Sequence, residues 1–144
     1  MDNLKYITAD LSAPEADLKI DITDISFDSE SFDVVICSHV LEHIDDDNKA
    51  IGELFRVLKH NGVAYIQVPY NSSKLTDEDP SANPQERKKR FGQSDHVRLY
   101  GTDFLQRLES PGFKVTQERH AVKLDSKDRE QFGVWDDVIF KCIK

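Results

Sequence analysis

The run Phe32-Asp33-Val34-Val35-Ile36-Cys37 constrains the fold more than any other stretch of this chain. After Asp33 it shows no polar alternation, the pattern of a strand covered on both faces of a parallel sheet. Downstream, Ile51, Leu54, Phe55 and Leu58 fall at i, i+3, i+4 and i+7 and form one apolar helical stripe. Asp45-Asp46-Asp47 supplies the cap and the acids that a helix N-terminus favours. Lys59, His60 and then Asn61-Gly62 supply the end, and residues 63–68 form the next strand, closed by Pro69. Strand, helix and strand in this order argue for a layered α/β fold with a largely parallel sheet.

The flanking segments extend the alternation. Residues 4–9, ending at Asp10, and residues 18–20, ending at Asp21, read as strands. Thr102-Asp103 caps a helix through Phe104, Leu105 and Leu108, stopped by Pro111-Gly112. Residues 113–118 and 137–143 read as an antiparallel hairpin whose long connection carries no helical stripe. Phe132 and Trp135, near that last turn, are expected to be packing residues. Residues 71–100 are an excursion or lid within a single domain spanning 1–144, with a short helix inside it. Its basic cluster, Arg87-Lys88-Lys89-Arg90, reads as a solvated helix face.

Charge narrows the function classes. The net charge of −8 divides into −10 over the first fifty residues and +2 over the rest. Such an acidic first third repels phosphates, so no nucleic-acid partner is expected. No apolar run approaches the roughly 20 residues of a membrane span, and no membrane partner is expected. The start, Met1-Asp2-Asn3-Leu4-Lys5, lacks the pattern of a signal peptide, and a cytoplasmic location is the expectation. Cys37 and Cys142 lie in apolar strand-like runs and read as buried, reduced thiols.

Several segments together resemble the class I S-adenosylmethionine-dependent methyltransferases, and among them the type 11-like domains. The likeness rests on Phe32-Asp33-Val34-Val35, then Leu41-Glu42-His43, the aspartates that follow, and Arg56-Val57-Leu58-Lys59-His60-Asn61-Gly62. Asp21-Ile22-Thr23-Asp24-Ile25-Ser26-Phe27 is similar to the acidic segment after that family's third strand. Gly112-Phe113-Lys114-Val115 is similar to the start of its sixth, and the final hairpin to its antiparallel edge. The implied fold is Rossmann-like, with a mostly parallel sheet and an antiparallel C-terminal hairpin. One departure is large. The family's first strand and glycine-rich turn have no counterpart, since no glycine precedes Gly52. The expectation is therefore a fold truncated at the N-terminus. Either the strands at 4–9 and 32–37 pair directly, or another chain fills the central slot, as a homodimer or partner would.

The resemblance assigns residue roles. Asp10 corresponds to the acid that holds the ribose hydroxyls, for which two carboxylate oxygens suit a vicinal diol. Asp21 corresponds to the acceptor for the adenine amino group, with Ile22 flanking the ring. For both, turn or cap formation is the alternative. Ser38 and His39 correspond to the place where methyl group and acceptor meet, and His39 is the candidate base, with a structural or lining role as the alternative. Arg98 and Tyr100 are candidate substrate contacts at the pocket mouth, with a loop anchor as the alternative for Arg98. The implied cofactor is S-adenosyl-L-methionine and the expected acceptor a small molecule. A binding or assembly module without catalysis is the second reading.

His39-Val40-Leu41-Glu42-His43 also spells H-x-x-E-H, a zinc-peptidase motif when both histidines share a helix face. Glu118 is then the nominal third ligand. Because the motif follows directly on a buried strand, Glu42-His43 reads instead as a helix-start pair, and no metal site is assigned.

Overall fold

A computed structural model describes residues 4–121, 124–133 and 137–144, the side chain of Phe132 excepted. Trp135 and the Phe132 side chain therefore lie outside the described residues. Strand β3 (Phe32–Ser38) leads through a single 3-10 turn (Leu41–His43) into helix α1 (Asp47–Val57), and β4 (Leu58–Gln67) follows at once. The Asp46 carboxylate caps α1 by accepting the Lys49 amide at 3.0 Å.

The expected helix end is displaced. Leu58 already has extended backbone, at φ −73° and ψ 139°, and pairs with Phe32 across the sheet. Its side chain is fully buried there, so tertiary pairing overrides the end signals at Lys59, His60 and Asn61-Gly62. Gly62 is needed for closeness, since a Cβ would stand 2.8 Å from the Lys59 carbonyl oxygen.

β7 (Lys114–Glu118) and β8 (Ile139–Ile143) complete a sheet of order β3-β4-β8-β7. β3 and β4 are parallel; β8 runs antiparallel to both β4 and β7. The connection between β7 and β8 contains a helix that its sequence pattern does not announce, α4 (Ser126–Phe132). It is set by its ends alone: Asp125 accepts the Asp128 amide at 2.8 Å, and Gly133 closes it at φ 61°.

The first strand is much shorter than expected. β1 (Ala9–Asp10) pairs in parallel with β2 (Leu18–Lys19) as a separate two-stranded sheet. Leu4 and Tyr6 are 90% and 74% exposed. Among the described residues nothing pairs with the outer edge of β3, so direct pairing between the two neighbours of the central slot does not form.

The core fills one face of the large sheet. Cys37, Ile66, Phe140 and Cys142 meet Ile51 and Leu54 of α1 and Phe104 and Leu108 of α3 (Phe104–Glu109). Each such side chain contributes about 2 kcal/mol through removal from water. The other face is open, with Val34 53% and Ile36 71% exposed. The apolar run that predicts cover on both faces is thus covered on one.

The excursion forms β5 (Asp77–Glu78), α2 (Pro84–Phe91) and β6 (Arg98–Leu99), the two strands pairing antiparallel. Asn83 and Glu86 make a reciprocal capping box on α2. The basic cluster lies on this helix, where Lys88, Lys89 and Arg90 are exposed, and Arg90 reaches Asp77 and Asp79 at 2.6 and 2.8 Å.

Candidate functional site

The carboxyl end of β3 delivers Ser38 and His39. His39 extends the ladder, its amide donating to the Gln67 carbonyl at 2.9 Å, but with a left-handed φ of 54°. A residue other than glycine pays about 1–3 kcal/mol there, and such conformations cluster where a side chain must be aimed. Its ring is half exposed and Nδ1 lies 3.3 Å from Glu42 Oε1. The Ser38 hydroxyl donates to Gln67 Oε1 at 3.3 Å.

Asp10 and Asp21 stand at the ends of the two short strands, each exposed and each closing its own turn. Asp10 Oδ1 accepts the amides of Ser12 and Ala13, both at 2.7 Å. Asp21 Oδ1 accepts the amide and hydroxyl of Thr23, both at 2.8 Å. The Ser12 amide beside Asp10 and the Thr23 amide beside Asp21 hold both carboxyls below their ordinary range. Among the described residues only Oδ1 of each is engaged, which leaves each carboxylate one acceptor oxygen.

The segment after Asp21 is fixed to the body. Ile22 and Ile25 pack against the core. Glu53 accepts the Ile25 amide at 2.8 Å, while Arg56 donates to the carbonyls of Ile25 and Phe27, also at 2.8 Å. This Glu53–Arg56 clamp escapes the sequence reading, although an i, i+3 acid–base pair on the helix is its visible trace.

Arg98 and Tyr100 do not stand at a pocket mouth; both are at most 1% exposed. Arg98 donates to the carbonyls of Leu41, Ile44 and Asp45 and to Glu78 Oε2, so its donors are committed to the protein. The Tyr100 hydroxyl donates to Asp47 Oδ2 at 2.9 Å, and burial together with the Asp47 charge pushes its acidity far down. Arg107 joins the network, reaching Asp47 at 3.0 Å and Glu78 at 2.8 Å. The physical reason is desolvation: a buried guanidinium is stable only when its fork is filled. These residues lock the excursion onto the loop that carries His39.

The zinc-peptidase geometry does not form. His39 precedes the 3-10 turn with left-handed backbone, so it and His43 share no helix face. Glu118 sits on β7, paired with His120 at 2.6 Å. Both cysteines are free and buried, as expected, and burial pushes each thiol up to about 12. A hollow of about 390 Å³ on the open sheet face is lined by Ile36, Ser38, Tyr65, Gln67, His120 and Ile139. It contains Ser38 but none of the other expected site residues.

Among known proteins, residues 3–66 match the family model described as a methyltransferase domain. The chain is 27% identical over 119 residues to mouse (Mus musculus) arsenite methyltransferase, covering 83% of itself and 30% of that protein. An S-adenosylmethionine-dependent methyltransferase from Mesorhizobium loti superposes with a TM-score of 0.58 at 14% identity, over 94% of this chain and 78% of that one. The [4+2]-cyclase SpnF superposes at 0.57 with 17% identity, over 89% and 55%. The chain thus spans under a third of its curated relative and about half of the cyclase. No helix among the described residues is long and apolar enough to cross a membrane. Residues 3–66 are thus similar to a methyltransferase domain, and the architecture that surrounds them is the Rossmann-like α/β fold of these structures.

Proposed function

We propose that the chain holds S-adenosylmethionine across the carboxyl ends of β1, β2 and β3 and serves methyl transfer to a small-molecule acceptor. The observation that carries this reading is the shared placement of Asp10, Asp21 and Ser38-His39 at those strand ends, where α/β sheets bind ligands. The donor set fits the adenosine part. Two carboxylates, ionised and each with an oxygen to offer, suit ribose hydroxyls at Asp10 and the adenine amino group at Asp21. Ile22, anchored in the core, offers an apolar side for the ring. When bound, the cofactor supplies a methyl group made electrophilic by its sulfonium. Ser38 and His39 then orient the acceptor, and His39 takes its proton where one must leave.

Donors for the methionine carboxylate are a different matter, because no glycine-rich turn precedes Gly52. We assign them to a further strand along the free edge of β3, supplied by a preceding N-terminal segment or by another chain. The open sheet face beside that edge, with Ile36 71% exposed, favours a second reading in which the domain binds or assembles without catalysis. Calorimetric titration with S-adenosylmethionine separates the two. Saturable heat that is lost in the double variant Asp10→Asn, Asp21→Asn supports the cofactor reading. Absence of heat at millimolar ligand overturns cofactor binding by this chain alone.

A further inference from the structure

Glu42, His43 and His96 bring one ligand atom each to within 4.8 Å of one another. Glu42 and His96 are buried, at 0% and 3% exposed, and the His43 side chain is one-third exposed. The two rings stand 4.7 Å apart, centroid to centroid, and nearly perpendicular at 83°. Glu42 comes from the 3-10 turn after β3 and His96 from the end of the excursion, and the Val97 amide already ties them by donating to the Glu42 carbonyl at 2.9 Å.

The hydrogen bonds around the cluster engage one nitrogen of each ring and leave the other for a ligand. His96 Nδ1 lies 3.1 Å from the Phe91 carbonyl, which can only accept, so in the neutral ring this nitrogen carries the proton and Nε2 the lone pair. His43 Nδ1 lies 3.3 Å from the Asp95 carboxylate, with the same consequence. A carbonyl or a carboxylate behind Nδ1 is how proteins orient metal-binding imidazoles. Glu42 Oε1 faces His39 Nδ1 at 3.3 Å, but Oε2, fully buried, has no hydrogen-bond partner among the described residues. An unpaired buried carboxylate oxygen is costly, and a cation removes that cost.

We propose that Glu42, His43 and His96 form a binding site for a divalent cation of the zinc class, adjoining the proposed methyl-transfer site through His39. Two imidazoles and one carboxylate are a donor set zinc takes readily, with a fourth position left to water. Ligand atoms around a tetrahedral zinc stand about 3.4 Å apart, so the donors close by a little over 1 Å on binding; rotation of the partly exposed His43 provides most of this. His39 and Asp95 are positioning residues behind the ligands. The ion staples the loop bearing His39 to the excursion, so its role is structural.

The test titrates chelator-treated protein with zinc chloride, read by competition with a chromophoric chelator and by the melting temperature. The expected result is one equivalent bound and a rise in Tm, as for any ligand of the native state alone. His43→Ala, which touches the most exposed member, weakens binding at least about 10-fold, and Glu42→Gln abolishes the zinc-induced rise in Tm. Cobalt(II) in place of zinc gives the intense visible absorption of a tetrahedral site. The proposal is overturned by the lack of saturable binding, or by binding that survives unchanged in both variants. Neither result depends on S-adenosylmethionine.

Discussion

Glu53 Oε2 accepts the backbone amide of Ile25 at 2.8 Å, which couples α1 directly to the segment that follows Asp21. Arg56 completes the clamp through the Ile25 and Phe27 carbonyls and through Glu53 itself, at 2.7–2.8 Å. The position of the segment proposed to face adenine therefore depends on two side chains of α1.

Arg56→Ala leaves two carbonyls and a carboxylate without their donor. Hydrogen bonds to a charged group are among the stronger ones in a fold, so a loss of stability is expected. A urea melt reads this as a lower midpoint at unchanged slope. An unaltered midpoint means that the clamp is decorative.

Glu78 makes acid stability predictable. The Arg107 guanidinium, with Arg98 behind it, holds the Glu78 carboxyl down at about 2 against an ordinary value near 4.5. Because the folded value is the lower one, the stabilisation is complete above the unfolded value and drains away as pH falls toward about 2. Melting temperatures taken from about pH 6 downward should fall more steeply in the wild type than in Glu78→Gln.

The two cysteines should be silent in the native state. Burial raises both thiols to about 12, with Glu42 adding to the effect at Cys37. A thiol reagent at neutral pH is expected to label neither residue until denaturant is added, and then both. Rapid labelling of folded protein contradicts the buried placement.

Two glycines of opposite character test the packing. At Gly101 a Cβ would strike the backbone of Lys74, Leu75 and Thr76, and Gly101→Ala should cost about 3 kcal/mol or more. Gly52 sits inside α1 with nothing near its Cβ position, and Gly52→Ala should gain about 0.5–1 kcal/mol. Thermal melts of the two variants should move in opposite directions.

What sequence could show, and what it could not, divides along physical lines. Local patterns carried the strand through Val34-Val35-Ile36 and the stripe at Ile51 and Leu54, because burial of one face writes itself into residue spacing. The end of α1 was misplaced because Leu58 answers to Phe32 across the sheet, not to its neighbours in sequence. α4 was invisible because its signals are two caps, Asp125 and Gly133, without a stripe. For the site, Asp10, Asp21 and His39 were legible as acids and an imidazole at strand ends. For Arg98 the loop-anchor alternative is the one that forms; that Tyr100 faces inward was not legible, since its partner Asp47 lies more than fifty positions away. The meeting of Glu42 with His96 is likewise a product of the fold alone.

The central claim, that the strand ends form a cofactor site, is tested most directly by amide NMR of the labelled chain during titration with S-adenosylmethionine. The account predicts saturable shifts gathered at Asp10–Ala13, Asp21–Thr23 and Ser38-His39. Shifts confined to the hollow around Ile36, Tyr65 and His120, or none at all, would contradict it.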